Sequence, residues 1–270
     1  MKSQQWNKVW AGFLLTAGLA LWALDERLNV SHYELTTSKV QGKVRLVYLS
    51  DLHGSQYGQG QSELLNAIEQ VSPDLILLGG DIFDHRVQVQ PSLDLVDALV
   101  DRYPICYVTG NHEFQHAPTN AVKQRLRFQG IHVLDGRSMT IDIKGNPITL
   151  MGVDDPYVGE DAYQAQVAEL HPSDYYSILL THRPERMADF EYVETDLVLA
   201  GHAHGGQWRI PFVNQGVYAP HQGIWPQYTS GLHEFGLTKL IVSRGLTTDN
   251  TRVPRIFNRP EMLVIDISGK

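Results

Sequence analysis

The chain has 270 residues, enough for one large domain plus an appendage, and a formal net charge of −8 from 30 acidic and 22 basic side chains. That balance, with no run of Lys and Arg, excludes the basic footprint of a nucleic-acid-binding surface. The single cysteine, Cys106, excludes an intramolecular disulfide and lies in the apolar run Ile105–Val108, where it reads as a small buried hydrophobe.

In chain order, the first feature is an almost unbroken apolar stretch, Val9–Leu24, interrupted by Gly12, Thr16 and Gly18. Lys2 and Lys8 precede it, Asp25, Glu26 and Arg27 follow it, and Trp6, Trp10 and Trp22 lie near its ends. As a helix it rises about 24 Å, somewhat short of the roughly 30 Å hydrocarbon core. Residues 1–27 are read as a single-pass anchor with the N-terminus in the cytoplasm and the rest of the chain on the extracytoplasmic face. Gly18-Leu19-Ala20 leaves open a cleaved signal segment, and a buried or surface helix is the third reading. Residues 28–43 read as a polar juxtamembrane segment, and residues 44–270 as the catalytic domain.

Within that domain Leu64, Leu65, Ile68 and Val71 form the apolar stripe of a helix ended by Ser72-Pro73. Pro91-Ser92 opens a second helix with Leu93, Val96, Leu99 and Val100 on one face, and Thr119 or Asn120 opens a third that stops at Gly130. Thr140–Ile143 and Ile148–Met151 flank Lys144-Gly145-Asn146-Pro147 as a hairpin. A helix is predicted over Asp161–Leu170, and late strands over Leu240–Val242 and Met262–Ile267. The pattern is α/β.

Five polar clusters each follow an apolar strand-like run: Asp51-Leu52-His53, Gly80-Asp81, Gly110-Asn111-His112-Glu113, Thr181-His182 and Gly201-His202-Ala203-His204. The runs are Val44–Leu49, Leu75–Leu78, Ile105–Val108, Ile178–Leu180 and Leu197–Ala200. Ligands gather beyond the carboxyl ends of strands in open α/β sheets, so the five clusters can converge. Carboxylates, an amide and imidazoles together suit two transition-metal ions such as Mn²⁺, Zn²⁺ or Fe, and the implied chemistry is metal-assisted hydrolysis of a phosphate ester.

The ordered set Asp-x-His, Gly-Asp-x-x-Asp, Gly-Asn-His-Glu, His and Gly-His-x-His resembles the calcineurin-like metallophosphoesterase superfamily. Gly205-Gly206-Gln207, Ser243-Arg244-Gly245 and Arg259-Pro260-Glu261 resemble a bacterial, membrane-associated branch that includes YkuE-like and UDP-2,3-diacylglucosamine pyrophosphatase-like enzymes. The resemblance implies a four-layer αββα sandwich of two mixed sheets flanked by helices. It implies metal ligation by Asp51, His53, Asp81, Asn111, His182, His202 and His204, with Asp81 bridging, Asn111, His182 and His202 on the second ion, and His204 on the first. His112 is then the general acid, since imidazole titrates in the useful range. Gly54 directly after His53 departs from the commoner pattern of a bulky apolar residue there.

Other candidates are weaker. Asp84 is read as a supporting or loop residue and Glu113 as a partner that orients a neighbour. Arg183 is a candidate phosphate clamp, about even with a surface charge before Pro184, and Arg209 and Arg244 rank below it. The aromatic loop Tyr218–Tyr228 walls the substrate site, rests near the bilayer or merely packs. His32, His85, His116, His132, His171, His221 and His233 are read as surface or satisfied histidines. The expected function is hydrolysis of phosphodiesters or pyrophosphates, with lipid-linked or nucleotide-sugar molecules as candidate substrates. A phosphomonoesterase, including one acting on phosphoproteins, is the enzymatic alternative, and a membrane-tethered metal-binding scaffold the non-enzymatic one.

Overall fold

The computed structural model describes residues 2–84, 86–213, 215–248 and 253–270, without the side chains of residues 2–9, 11 and 13. His85 and the side chains of Lys2, Trp6 and Lys8 lie outside the described residues. The helices are α1 (Lys2–Ala23), α2 (Ser62–Val71), α3 (Gln90–Leu99), α4 (Asn111–His116), α5 (Thr119–Phe128) and α6 (Glu160–Ala168). The strands in the first half are β1 (Asn29–Thr37), β2 (Lys43–Leu49), β3 (Leu75–Gly79), β4 (Ile105–Val108) and β5 (His132–Val133). They continue with β6 (Arg137–Ile143), β7 (Asn146–Gly152), β8 (Tyr176–Leu180) and β9 (Leu197–Ala200), then the short ribbon β10 (Tyr218–Ala219) and β11 (Gly223–Ile224). The last are β12 (Gly231–Phe235), β13 (Thr238–Val242) and β14 (Glu261–Gly269).

Two six-stranded sheets carry the fold, in the orders β1-β14-β2-β3-β4-β5 and β12-β13-β9-β8-β7-β6. Both are mixed: β2, β3 and β4 run parallel and β14 antiparallel to β2, while β7, β8 and β9 run parallel and β6 antiparallel to β7. Alternation of period two assigns the faces. Leu46, Tyr48, Leu75 and Leu77 point between the sheets, where they meet Leu150, Ile178, Leu180 and Leu199. Val47, Leu49, Ile76 and Leu78 point outward onto Leu64 and Ile68 of α2, Leu95 and Leu99 of α3 and Leu126 of α5. On the other side Met151, Leu179 and Val198 pack against Tyr163 of α6 and the short turn bearing Met187 and Phe190. Two mixed sheets lie between helical layers, as expected.

The N-terminal part corrects the sequence reading. Residues 28–43 are not a free polar segment, because β1 pairs in parallel with β14 from Asn29↔Glu261 to Thr37↔Gly269. The partner comes from the far end of the chain and Leu35 alone is buried in β1, so no local pattern marks the strand. No helix among the described residues is long and apolar enough to cross a membrane, so the expected spanning anchor has no structural support. The end of α1 is tied to the domain instead: Phe257 N donates to Ala23 O at 2.7 Å, and the Trp22 ring sits 4.7 Å from that of Phe257.

Candidate metal centre

Parallel order places the carboxyl ends of β2, β3 and β4 in one sheet, and of β8 and β9 in the other, along a common edge. Backbone bonds stitch the loops there: Asp51 N donates to Gly80 O at 2.9 Å, His53 N to Asp81 O at 3.0 Å and Gly201 N to His182 O at 3.1 Å. The backbone then turns sharply. Asp51, His53, Asp81, His202 and His204 all have positive φ, between 46° and 63°. Such values are unfavourable for residues with a side chain and cluster at functional sites. In extended chain Asp51 and His53, two apart, would point to one side; here left-handed turns bring them together instead. Gly80 makes room for them, since a Cβ there would lie 2.7 Å from His182 Nδ1 and 2.6 Å from Gly110 N, at a φ of +90°.

The side chains gather into two groups that face one another. Asp51, His53 and His204 offer ligand atoms within 4.8 Å of one another, and so do Asp81, His182 and His202. Asp81 stands between the groups: its Oδ2 is 3.2 Å from His182 Nε2, 3.4 Å from His53 Nε2 and 4.0 Å from His112 Nε2. Its Oδ1 accepts from His112 N at 2.8 Å. Asn111 is buried, and among the described residues its Oδ1 has no hydrogen-bond partner. A buried amide oxygen left this way needs an acceptor's counterpart, which a cation supplies.

Electrostatics agree with that donor set. Burial opposes ionisation of Asp81, yet His182 and His53 beside it hold its carboxyl well below the usual range. Burial likewise opposes charge on His182, but the carboxylates of Asp81 and Asp51 outweigh it and lift the imidazole to about 10. The pocket thus attracts positive charge. Burial drives His204 down to about 3 and His202 well below its ordinary value, with His182 and Arg183 adding to the latter. Neutral imidazole is the form that ligates metals. His182 Nδ1 lies 2.8 Å from Gly79 O and holds a proton there, and a cation beside Asp81 would take the place of the second proton on Nε2. The residues therefore fit divalent cations.

A supporting layer fixes these rings. Asp84 Oδ2 lies 2.7 Å from His112 Nδ1 and 3.2 Å from His53 Nδ1, while Arg86 donates to it at 2.8 Å. This is the supporting role expected of Asp84, and it turns both Nε2 atoms toward Asp81. Glu113 is buried and accepts four backbone N–H groups, from Asp81, Ile82, Phe83 and Gly110, at 2.8–3.0 Å. It locks the β3 and β4 loops together. Burial and the charge of Asp81 raise its pKa to about 7, against the pull of the N–H donors.

Arg183 has its guanidinium turned away from a clamp's task. It is buried, with Nε 2.6 Å and Nη2 3.0 Å from the carboxylate of Asp155. Arg244 donates to Glu261 at 3.0 Å, and Arg209 to Gly205 O at 2.8 Å. Two residues near the centre escaped the sequence reading. His221, taken as a satisfied histidine, reaches His202 Nε2 at 2.9 Å and forms with Glu185 and His202 a further group of converging ligand atoms. Arg86 places Nη2 2.6 Å from His112 Nδ1. His221 belongs to the loop Tyr218–Tyr228, which walls the site; its aromatic composition was the only available signal.

Residues 44–206 match the calcineurin-like phosphoesterase family. The chain belongs to that family. It is 30% identical over 235 residues to the uncharacterized metallophosphoesterase YkuE of Bacillus subtilis (strain 168), covering 83% of this chain and 79% of that one. It is 28% identical over 230 residues to the phosphodiesterase YaeI of Escherichia coli (strain K12), covering 83% and 82%. The NAD nucleotidase NadN of Haemophilus influenzae shares the fold, with a TM-score of 0.52 at 14% identity over 77% of this chain and 46% of that one. A calcineurin-like phosphoesterase is a metal-dependent hydrolase, and the two facing ligand groups are where this one would hold its metals.

Proposed function

We propose that the chain hydrolyses phosphodiester or pyrophosphate bonds with two divalent ions, one held by Asp51, His53 and His204 and the other by Asn111, His182 and His202, with Asp81 between them. The observation that carries this reading is the carboxylate of Asp81 set between two histidine-rich groups. Bound ions would supply Lewis-acid charge for the phosphoryl oxygens and a more acidic water. His112, held through Nδ1 by Asp84, would present Nε2 to the leaving-group oxygen and give it a proton. Glu113 keeps the β3 and β4 loops in register, and Arg183 braces the β8 end against Asp155.

The similarity to the phosphodiesterase YaeI supports the diester reading. Lipid-linked and nucleotide-sugar molecules are the two substrate classes we consider, and attachment to a bacterial membrane with the domain outside remains part of the proposal. Leu14, Leu15, Leu19 and Leu21 of α1 are exposed, which supports contact with a bilayer. The test loads metal-stripped protein with Mn²⁺ and compares bis-p-nitrophenyl phosphate with p-nitrophenyl phosphate, using Asp81→Asn as control. Faster diester cleavage, lost in the control, is expected. Faster monoester cleavage would make the chain a phosphomonoesterase, and two bound ions without turnover would favour a metal-binding scaffold.

A further inference from the structure

Beside the metal centre lies an open-sided pocket of about 520 Å³, within the size range of ligand pockets, roughly 300–1,000 Å³. Trp208, Val217, Pro220 and Ile224 supply its apolar walls, with the ring of Tyr218. His204 lines it too, and His204 also faces Asp51 and His53. One imidazole therefore divides a carbon-lined chamber from the groups that would hold metal. A molecule with its phosphorus at the metal centre has this chamber as the next space along.

The lining decides what can occupy it. A nucleobase or sugar carries several donors and acceptors, and each one buried without a partner is costly. Among the described lining residues the polar side chains are His204, Gln207 and the phenol of Tyr218, and the Trp208 indole N–H is already taken by Pro254 O at 3.1 Å. Hydrocarbon needs no partners. The outer wall has the same character: Ile224 of β11 is 72% exposed. Trp208 bridges through its backbone to Ile256, and the next residue, Phe257, packs on Trp22 of α1.

We infer that the chamber beside His204 is a hydrocarbon subsite, and that the substrate is a phosphoester carrying one long alkyl or acyl chain rather than a nucleotide sugar. The inference rests on the phosphoester-hydrolase reading for the chemistry at the metals, but not for the binding of the chain. Each buried methylene strengthens binding roughly fourfold, so a few of them separate long from short esters clearly.

The test uses the full chain loaded with Mn²⁺ and dodecyl p-nitrophenyl phosphate below its micelle concentration, against methyl p-nitrophenyl phosphate. The dodecyl ester should have at least a tenfold higher kcat/KM. The ratio should fall toward one in Ile224→Asp, an exposed position where folding is not at risk, and in Val217→Asp. A ratio near one in the unsubstituted protein, or one unchanged in both variants, would overturn the subsite. A second arm titrates dodecylphosphonate and methylphosphonate against tryptophan fluorescence. At least tenfold tighter binding of the dodecyl compound, lost in Ile224→Asp, supports the subsite; equal binding overturns it. This arm needs no turnover, so it decides the subsite even if neither ester is cleaved, a result that would count against the hydrolase reading alone.

Discussion

His112 meets Asp84 through Nδ1 at 2.7 Å, and this contact leaves Nε2 to face Asp81 across 4.0 Å. A ring held in that orientation can pass on a proton carried at Nε2, as imidazolium with Asp84 accepting from Nδ1, and is not needed to keep the ions. His112→Ala should therefore retain two Mn²⁺ per chain, counted by elemental analysis, while turnover of the diester falls by about 10²–10⁴-fold. Unchanged turnover would remove the acid role. His221 acts one contact further out, because its bond to His202 Nε2 leaves Nδ1 of that ring for the centre, 3.2 Å from His182 Nε2. Loss of such a partner typically weakens a metal site about 10–100-fold. We expect His221→Ala to weaken one of the two Mn²⁺ by that factor in equilibrium dialysis, with His221→Asn recovering part and the thermal midpoint unmoved. Sequence made the seven candidate ligands and His112 visible because each sits in a short motif behind an apolar run. His221 has no such frame: its function comes from a loop folding back over His202, which no spacing records.

At the level of elements, the strands that lead into the ligand loops are buried on both faces and read directly as apolar runs. The hairpin of β6 and β7 was equally plain, with Lys144 and Gly145 at φ of 55° and 78° in its two-residue turn. The short helix α4 was not foreseen; it takes its place because Glu113 caps Gly110 and the β3 loop at once. The edge strand β1 was missed for another reason, the distance of its partner β14 along the chain. This leads to a prediction about boundaries. A chain starting at Asn29 keeps β1, whereas one starting at Val44 leaves one long edge of β14 unpaired. The shorter chain should melt at a lower temperature and aggregate on concentration, as exposed sheet edges do. Equal melting curves would show that β1 contributes nothing to the domain.

At the scale of the whole molecule, the first sheet is closed by β14, which carries the end of the chain back beside β2. Asp266 of β14 holds that return through Arg45 at 2.7 Å and Lys43 at 2.6 Å. The hydrogen bonds from Arg45 lead in lowering its carboxyl below the usual 3.8, with Lys43 adding to them against the effect of burial. The folded value is thus below the unfolded one, so the stabilisation is complete above the unfolded pKa and drains away as pH falls through the folded value. Asp266→Asn should therefore lower stability in urea unfolding near pH 6, with the difference shrinking below about pH 4. A difference independent of pH would assign the effect to packing rather than charge.

By itself the sequence determined the α/β class and the positions of the buried strands and marked a candidate ligand set, because strand burial and metal ligation both demand particular residue types at short spacing. Tertiary structure decided what depends on distant partners. It put β1 into the sheet, turned Arg183 onto Asp155, brought His221 to His202 and set a carbon-lined chamber against His204. In each case separate elements meet, from 19 residues apart for His202 and His221 to the two ends of the chain for β1 and β14, and their pairing is set by packing and not by any local pattern.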